Sequence, residues 1–364
     1  MKLAILAEKP FVVKKYEPIL REIYSEDALY NAFFCYPMMA WYSGSKNRYS
    51  FPRGLKWSDY PFVGEPQFRK LEMLKARAHW GFPILKPLDE WEEGQSRYEH
   101  NWFRTEEAAV ASLRSADKII LLMDPDEQGF HLGAHFLSEN FDVVPWDKVW
   151  VVKCCCLTDE DMRTALSSAS QPDEKFFDMV RSVKMKRYFD YNYLVNSFAL
   201  TAFRPNGFVP SKYGLQLLYA MRQWGQFSHG ACIDKMCKWS GTGKYTNNIF
   251  GMGSAVSRSV ILEALEKAQF VLGSGFCPRY FDENTQSMEG GQVLLELTTL
   301  GHRYLDSLHP SCEDADLPFR LDAWSNLPEI EAKAKIDRYI RTFFGKQKNY
   351  TDKVRHRPEV TPAF

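Results

Sequence analysis

Three carboxylates stand where two apolar runs end. Glu8 follows "KLAILA" near the start of the chain, with Lys9 beside it; Asp124 and Asp126 follow "IILLM" in the string "MDPDEQG". Carboxylates converging on one sheet edge repel each other unless a cation neutralises them. Oxygen ligands of this kind suit Mg²⁺ or Mn²⁺, which bind through few carboxylates together with water and phosphate. Lys9 adds a positive group for a phosphate, and Gly129 permits close backbone approach. An acidic turn that only caps a helix is the plainer reading of either segment alone. Both segments together, each at a strand end, favour a metal site formed by Glu8, Asp124 and Asp126.

These side chains need a sheet to carry them. Residues 1–153 alternate strand and helix: "KLAILA", a helical "FVVKKYEPILREIY", "NAFFCY", a helix in "TEEAAVASLRSA", "KIILLMD", a helix over about Gln128–Glu139, and "KVWVVKC". Apolar strands separated by helices predict an α/β domain with a mostly parallel sheet covered on both faces. Functional groups in such a sheet gather beyond the carboxyl ends of the strands. The stretch 42–104, rich in Pro, Gly and Trp, is expected to be a loop-rich excursion. From 154 to 350 the pattern predicts a mainly helical domain. It includes "TDEDMRTALSSA" with Thr158 as N-cap, "SKYGLQLLYAMRQW" and "SAVSRSVILEALEKAQFV". "RYFDE" and "QVLLELT" then predict a two-stranded wing, so that residues 244–300 form a winged-helix-like element, a common nucleic-acid docking geometry. Residues 351–364 are expected to be a loose tail.

The chain has 364 residues, with 45% hydrophobic and 15% aromatic residues, so it can build two or three packed domains. Its formal net charge is zero, but the charge is unevenly placed. Residues 181–258 hold eleven Lys and Arg against Asp190 and Asp234, a local +9 interleaved with aromatics, and a polyanion-binding surface is expected there. Lys186, Arg187 and Lys244 belong to this stretch. The eight cysteines, three of them consecutive at 154–156, form no disulfide framework and predict a reducing, cytoplasmic setting. No paired C-x-x-C exists, so no zinc is expected. No apolar run approaches the ~18 residues of a membrane span, and an opening strand at Lys2 leaves no room for a signal peptide.

"LAILAEKP" and "MDPDEQG" resemble the opening and the second acidic motif, DPDREG, of type IA DNA topoisomerases of the topoisomerase III kind. In that family they define a TOPRIM domain, a Rossmann-like Mg²⁺-binding fold. The resemblance extends in family order through "LKWSDYPFVGEP", "KCCCLTDEDMRTAL", "DYNYLVNSFALTAFRPNGFVPSKYGLQLL", "KYTNNIFGMGSAVSRSVILEALEKAQFV" and "LTTLGHRYLDSL". It implies that Glu127, one position from the family's final acid, joins the metal ligands. It implies further that Ser211, Lys212 and Gln216, on the family's SxGRVQ helix, contact DNA. Ser254, Ser257 and Arg258 match the later segment, where Arg258 near a helix amino terminus would meet phosphate.

The departures from the family are as informative as the matches. Between the SxGRVQ helix and the later segment the family carries two gate domains with the cleaving tyrosine. Here only residues 222–243 fill that interval, and they contain no tyrosine. Without the nucleophile no phosphotyrosine intermediate forms in the family's way. Gln128 stands in place of the final acid and Gly214 in place of the SxGRVQ arginine. The leading expectation is therefore a gate-less, single-stranded-DNA-binding relative. It would act as an accessory factor or as part of an assembly in which another subunit supplies the gate, with the TOPRIM edge and the basic domain forming the groove. The second expectation is a Mg²⁺-dependent nuclease in which Asp124 and Asp126 hold metal, Glu8 is acid/base and Lys9 stabilises phosphate. Autonomous strand passage ranks last.

Overall fold

The structure, a computed structural model, describes residues 2–7, 10–24, 33–35, 49–50, 55–68, 111, 113–200, 208–245, 251–277, 280–282, 287–289 and 292–355. The chain divides into two compact units, residues 1–50 with 67–184, and residues 51–66 with 185–364.

The first unit is built on β1 (Leu3–Ala7), α1 (Pro10–Ile23), β2 (Phe33–Cys35), β5 (Lys118–Leu122), α2 (Glu127–Asn140), β6 (Val149–Val151) and α3 (Asp159–Ser167). A two-residue pair, β3 (Tyr49–Ser50) with β4 (Gln67–Phe68), stands apart from its main sheet. That sheet has the order β2-β1-β5-β6, and every pairing is parallel. β1 is buried along its whole length, as a strand covered on both faces must be. The alternation of its side chains sorts the core into two layers. Leu3, Ile5 and Ala7 pack with Ile120 and Leu122 under Val12, Tyr16, Ile19 and Leu20 of α1 and Met162 of α3. Ala4 and Leu6 pack with Ile119 and Leu121 under Phe130, Ala134 and Leu137 of α2. The expected α/β domain is thus present, a parallel sheet between helices. The helix expected in "TEEAAVASLRSA" falls largely outside the described residues.

α4 (Glu174–Asn196) follows, and the division between the units falls inside it, after Lys184. The expected domain boundary at 153/154 lies within the first unit, between β6 and α3.

The second unit contains α5 (Lys212–Trp224), β7 (Phe227–Ser228), α6 (His229–Cys237), α7 (Ala255–Lys267) and β8 (Val271–Cys277). β9 (Tyr280–Asp282), β10 (Ser287–Glu289), β11 (Gln292–Leu297), α8 (Thr299–Asp306), α9 (Leu317–Ser325) and α10 (Glu329–Arg355) follow. β7, β11 and β8 form an antiparallel sheet in that order, and β9 pairs with β10. One core joins Leu215, Leu218 and Met221 of α5, Met236 of α6, Leu262 and Leu265 of α7, Leu295 of β11, and Ile336, Ile340 and Phe344 of α10. The helix expected over "SAVSRSVILEALEKAQFV" stops at Lys267. Gln269 takes a left-handed φ of 62°, which breaks the helix and lets Val271 open β8. The expected two-stranded wing is corrected accordingly: β9 pairs with β10, and "QVLLEL" pairs instead with β8 and β7.

Residues 55–66, expected to be part of a loop excursion, belong to the second unit. Asn192 and Asn196, one turn apart on α4, each grip an alternate residue of this segment. Asn196 accepts from the Phe62 N–H at 2.7 Å and donates to the Phe62 carbonyl at 2.6 Å. Asn192 does the same to Gly64 at 2.9 and 3.0 Å. Trp57 Nε1 donates to Asp352 Oδ1 at 2.8 Å and Lys333 pairs with Glu65 at 2.7 Å. The expected tail from 351 is corrected as well: α10 runs on to Arg355, with Thr351 buried and accepting from Gln347 Nε2 at 3.1 Å. No helix among the described residues is long and apolar enough to cross a membrane.

Candidate metal and nucleic-acid site

The strand order reverses at one place in the parallel sheet. The chain moves from β1 outward to β2, then returns to the other side of β1 for β5 and β6. Ligands of open α/β sheets bind beyond the strand ends at such a switch point. The register is specific: Ala7, the last residue of β1, pairs with Leu122, the last of β5, so the two strands end level. Glu8 and Lys9 follow Ala7 but lie outside the described residues. Met123 is buried and Asp124, next in the chain, is half-buried.

Asp126 caps α2. Its Oδ1 accepts from the Gly129 N–H at 2.8 Å, while its own N–H donates to the Asp124 carbonyl at 2.8 Å. The helix-cap reading of "DPDEQG" is therefore realised, and it occupies one oxygen of Asp126. Gly129 is required by contact: a Cβ there would stand 2.3 Å from the Asp124 carbonyl oxygen, a distance no side chain tolerates. Glu127 is the first residue of α2 and half-buried. Among the described residues no group of three or more His, Cys, Asp or Glu side chains is placed to hold a metal ion. Asp124 and Asp126 nonetheless supply the hard oxygen donors that Mg²⁺ or Mn²⁺ takes, and they fit such an ion chemically.

Five of the eleven Lys and Arg in the basic stretch form ion pairs. Arg181 pairs with Asp178 at 2.7 Å, Lys186 with Asp322 at 3.7 Å, Arg222 with Asp306 at 2.9 Å and Lys238 with Asp234 at 2.9 Å. Lys212 forms an ion pair with Asp190 and is only 14% exposed. Burial pushes its ammonium down, but Asp190 outweighs burial and the nearby positive charge of Arg187, so its pKa is raised overall. Its ammonium also lies 4.7 Å from the Tyr213 ring centre. Most acids that neutralise this stretch come from outside it in sequence, and so the stretch on its own overstates the positive surface. Lys235 and Lys244 remain exposed.

The residues carried over by resemblance divide into two groups. Ser211 and Ser254 are N-caps, accepting from Gly214 N–H at 3.1 Å and Ser257 N–H at 3.3 Å. Both are exposed at helix amino termini, and Ser257 adds a hydroxyl that donates to the Ser254 carbonyl at 3.0 Å. Gln216 and Arg258 are held inside the unit. Gln216 is 2% exposed; its Nε2 donates to the Cys312 carbonyl at 2.9 Å and its Oε1 accepts from the Asp314 N–H at 2.5 Å. Arg258 is half-buried, with Nε donating to the Met252 carbonyl at 3.3 Å and Nη1 meeting Cys237 Sγ at 2.9 Å. It pins the Gly251 turn, where φ is 68°, against the end of α6. Lys212, Gln216 and Arg258, expected to contact DNA, each have an internal partner in the fold.

In comparisons with known proteins, no protein-family model matches the chain and no curated protein matches it significantly.

Proposed function

We propose that this chain is a single-stranded-DNA-binding relative of type IA topoisomerases that lacks the strand-passing gate and keeps a TOPRIM-type acidic site. The observation that carries the reading is the level ending of β1 and β5 at the sheet's switch point, with the Glu8 and Asp124–Asp126 segments following directly. Asp124 and Asp126, with Glu8, would hold Mg²⁺ or Mn²⁺, which when bound supplies positive charge for a phosphate. Asp126 contributes through the oxygen it does not use in capping, and Gly129 keeps the helix start close to Asp124.

The second unit supports the reading by its order of elements. α5, β7, α6, α7, β8 and β11, with the sheet order β7-β11-β8, follow the plan of a winged helix, with α7 in the position of the groove-entering helix. The β9–β10 hairpin, between β8 and β11, takes the position of the wing. Exposed Ser211, Lys244 and Ser254, with half-buried Ser257, are the side chains we assign to the nucleic acid; Lys186 and Arg187 stand on α4 of the same unit. Residues 222–243, where the family has its gate, hold the end of α5, β7, α6 and a short turn.

The test is incubation of the intact chain with supercoiled and single-stranded DNA in Mg²⁺, beside an Asp124→Ala/Asp126→Ala variant. Binding of the single strand without nicking is expected, with affinity falling steeply as salt rises. Nicking that the variant abolishes would replace this reading by a TOPRIM nuclease. Relaxation by the lone chain would overturn the gate-less reading outright.

A further inference from the structure

A cleft of about 300 Å³ opens in the second unit between the end of α5, α6 and the segment before α9. Most of its lining comes from residues 222–243, the short stretch that stands where the family of the resemblance carries its gate. Trp239 and Trp224 form one wall. The Trp239 indole is locked by its N–H, which donates to the Ala315 carbonyl at 2.7 Å, and Trp224 meets it edge-on at 6.0 Å and 64°. Phe227 holds Trp224 from another side at 5.7 Å and 86°. Trp224 is therefore rigid, yet the Lys235 ammonium lies 4.8 Å from its ring centre. Lys235 is an exposed side chain with no carboxylate in ion-pair reach among the described residues, so that position against the ring is taken by a displaceable cation rather than by core.

We infer that this cleft takes one unstacked base of a single strand, stacked on Trp224 in place of the Lys235 ammonium, with Lys235 moving to an adjacent phosphate. The inference rests on the single-strand reading above. The volume suits one nucleotide and excludes a duplex. Aromatic faces bind bases regardless of sequence, and a lysine at the same mouth supplies the backbone charge. The Gln223 amide, which donates to Glu313 Oε1 at 3.0 Å, offers a pair that can exchange for hydrogen bonds to the base edge. Lys238, held by Asp234 at 2.9 Å, adds a second ammonium to the lining, so that two ammoniums stand against the carboxylates of Asp234 and Glu313 and the cleft carries no net charge of its own.

The test uses the full chain and a thymidine oligonucleotide of about 12 residues, long enough to cross one site of this class, carrying one 5-iododeoxyuridine. Irradiation is expected to give an adduct on the peptide that contains Trp224. Trp224→Leu is expected to weaken binding roughly 10- to 100-fold, the range of one lost base stack, and Lys235→Glu about 10-fold. If Trp224→Leu fails to fold, Lys235→Glu, which removes only an exposed side chain, and the adduct position decide. Parent binding with adducts only elsewhere, and a Lys235→Glu variant that binds as the parent does, would overturn the cleft and leave the single-strand reading standing. A parent chain that does not bind the oligonucleotide would overturn both.

Discussion

Gly129 sets how closely the first turn of α2 approaches the acidic strand end. Replacing it with alanine forces a Cβ into the Asp124 carbonyl, and the backbone of one or the other must move. Gly129→Ala is expected to destabilise the first unit by about 1–3 kcal/mol, the range for overpacking at a rigid contact, read as a shifted urea midpoint. Lys212 and Asp190 make a second residue-scale case. Asp190→Ala leaves the Lys212 ammonium 14% exposed without its carboxylate and is expected to lose about 2 kcal/mol. The pKa of Lys212 is raised in the fold, so its contribution is complete below the unfolded lysine value of about 10.4 and disappears only as pH rises through the folded value. The stability gap between parent and Asp190→Ala should therefore be flat from neutral pH to about 9 and close in strong alkali. Asp190 was visible in sequence, within the basic stretch. The partners of Lys186 and Arg222, Asp322 and Asp306, were not, because a charge paired across the fold leaves no local trace. The burial of Gln216 was hidden for the same reason: it depends on Cys312 and Asp314, far along the chain.

At the scale of elements, the legible parts were those whose cause is local. β1 and β5 are continuous apolar runs because both faces are covered, and Thr158 caps α3 as its hydroxyl and the acids after it predict, accepting from the Asp161 N–H at 3.2 Å. Asp173 caps α4 by accepting from the Phe176 N–H at 2.8 Å, and this bond, followed by Lys153, holds its carboxyl below the usual range. A depressed carboxylate stabilises above its unfolded pKa and loses that effect as pH falls through the folded value. Asp173→Ala should therefore lower stability by about 1 kcal/mol at neutral pH and by less in strong acid, where only the neutral carboxyl is left to cap. The Asn192 and Asn196 grips had no sequence signal, since the partners of both are backbone groups of residues 62 and 64. Replacing both asparagines by alanine removes four hydrogen bonds to this segment. Amide hydrogen exchange over residues 55–66 is expected to rise while exchange in β1 and β5 stays unchanged; unchanged protection of 55–66 would show that Trp57 and Lys333 suffice to hold it.

At the scale of the whole molecule, the parallel-sheet unit and the mainly helical unit that follows were legible from periodicity. The division inside α4 was not, because a single helix with continuous spacing serves both units. The recruitment of residues 51–66 into the second unit was equally hidden, since it depends on partners more than a hundred residues away. The first unit holds the acidic strand end proposed to bind metal, and the second, mainly helical unit holds the aromatic cleft proposed to take a base. Metal binding at the first unit's strand ends is the central proposal, and Mn²⁺ uptake tests it most directly. Titrating Mn²⁺ into the intact chain, and following loss of the free-ion electron paramagnetic resonance signal, is expected to saturate at about one ion per chain. Glu8→Gln and Asp124→Asn are each expected to weaken uptake by at least about tenfold. No uptake, or uptake that both substitutions leave unchanged, would contradict it.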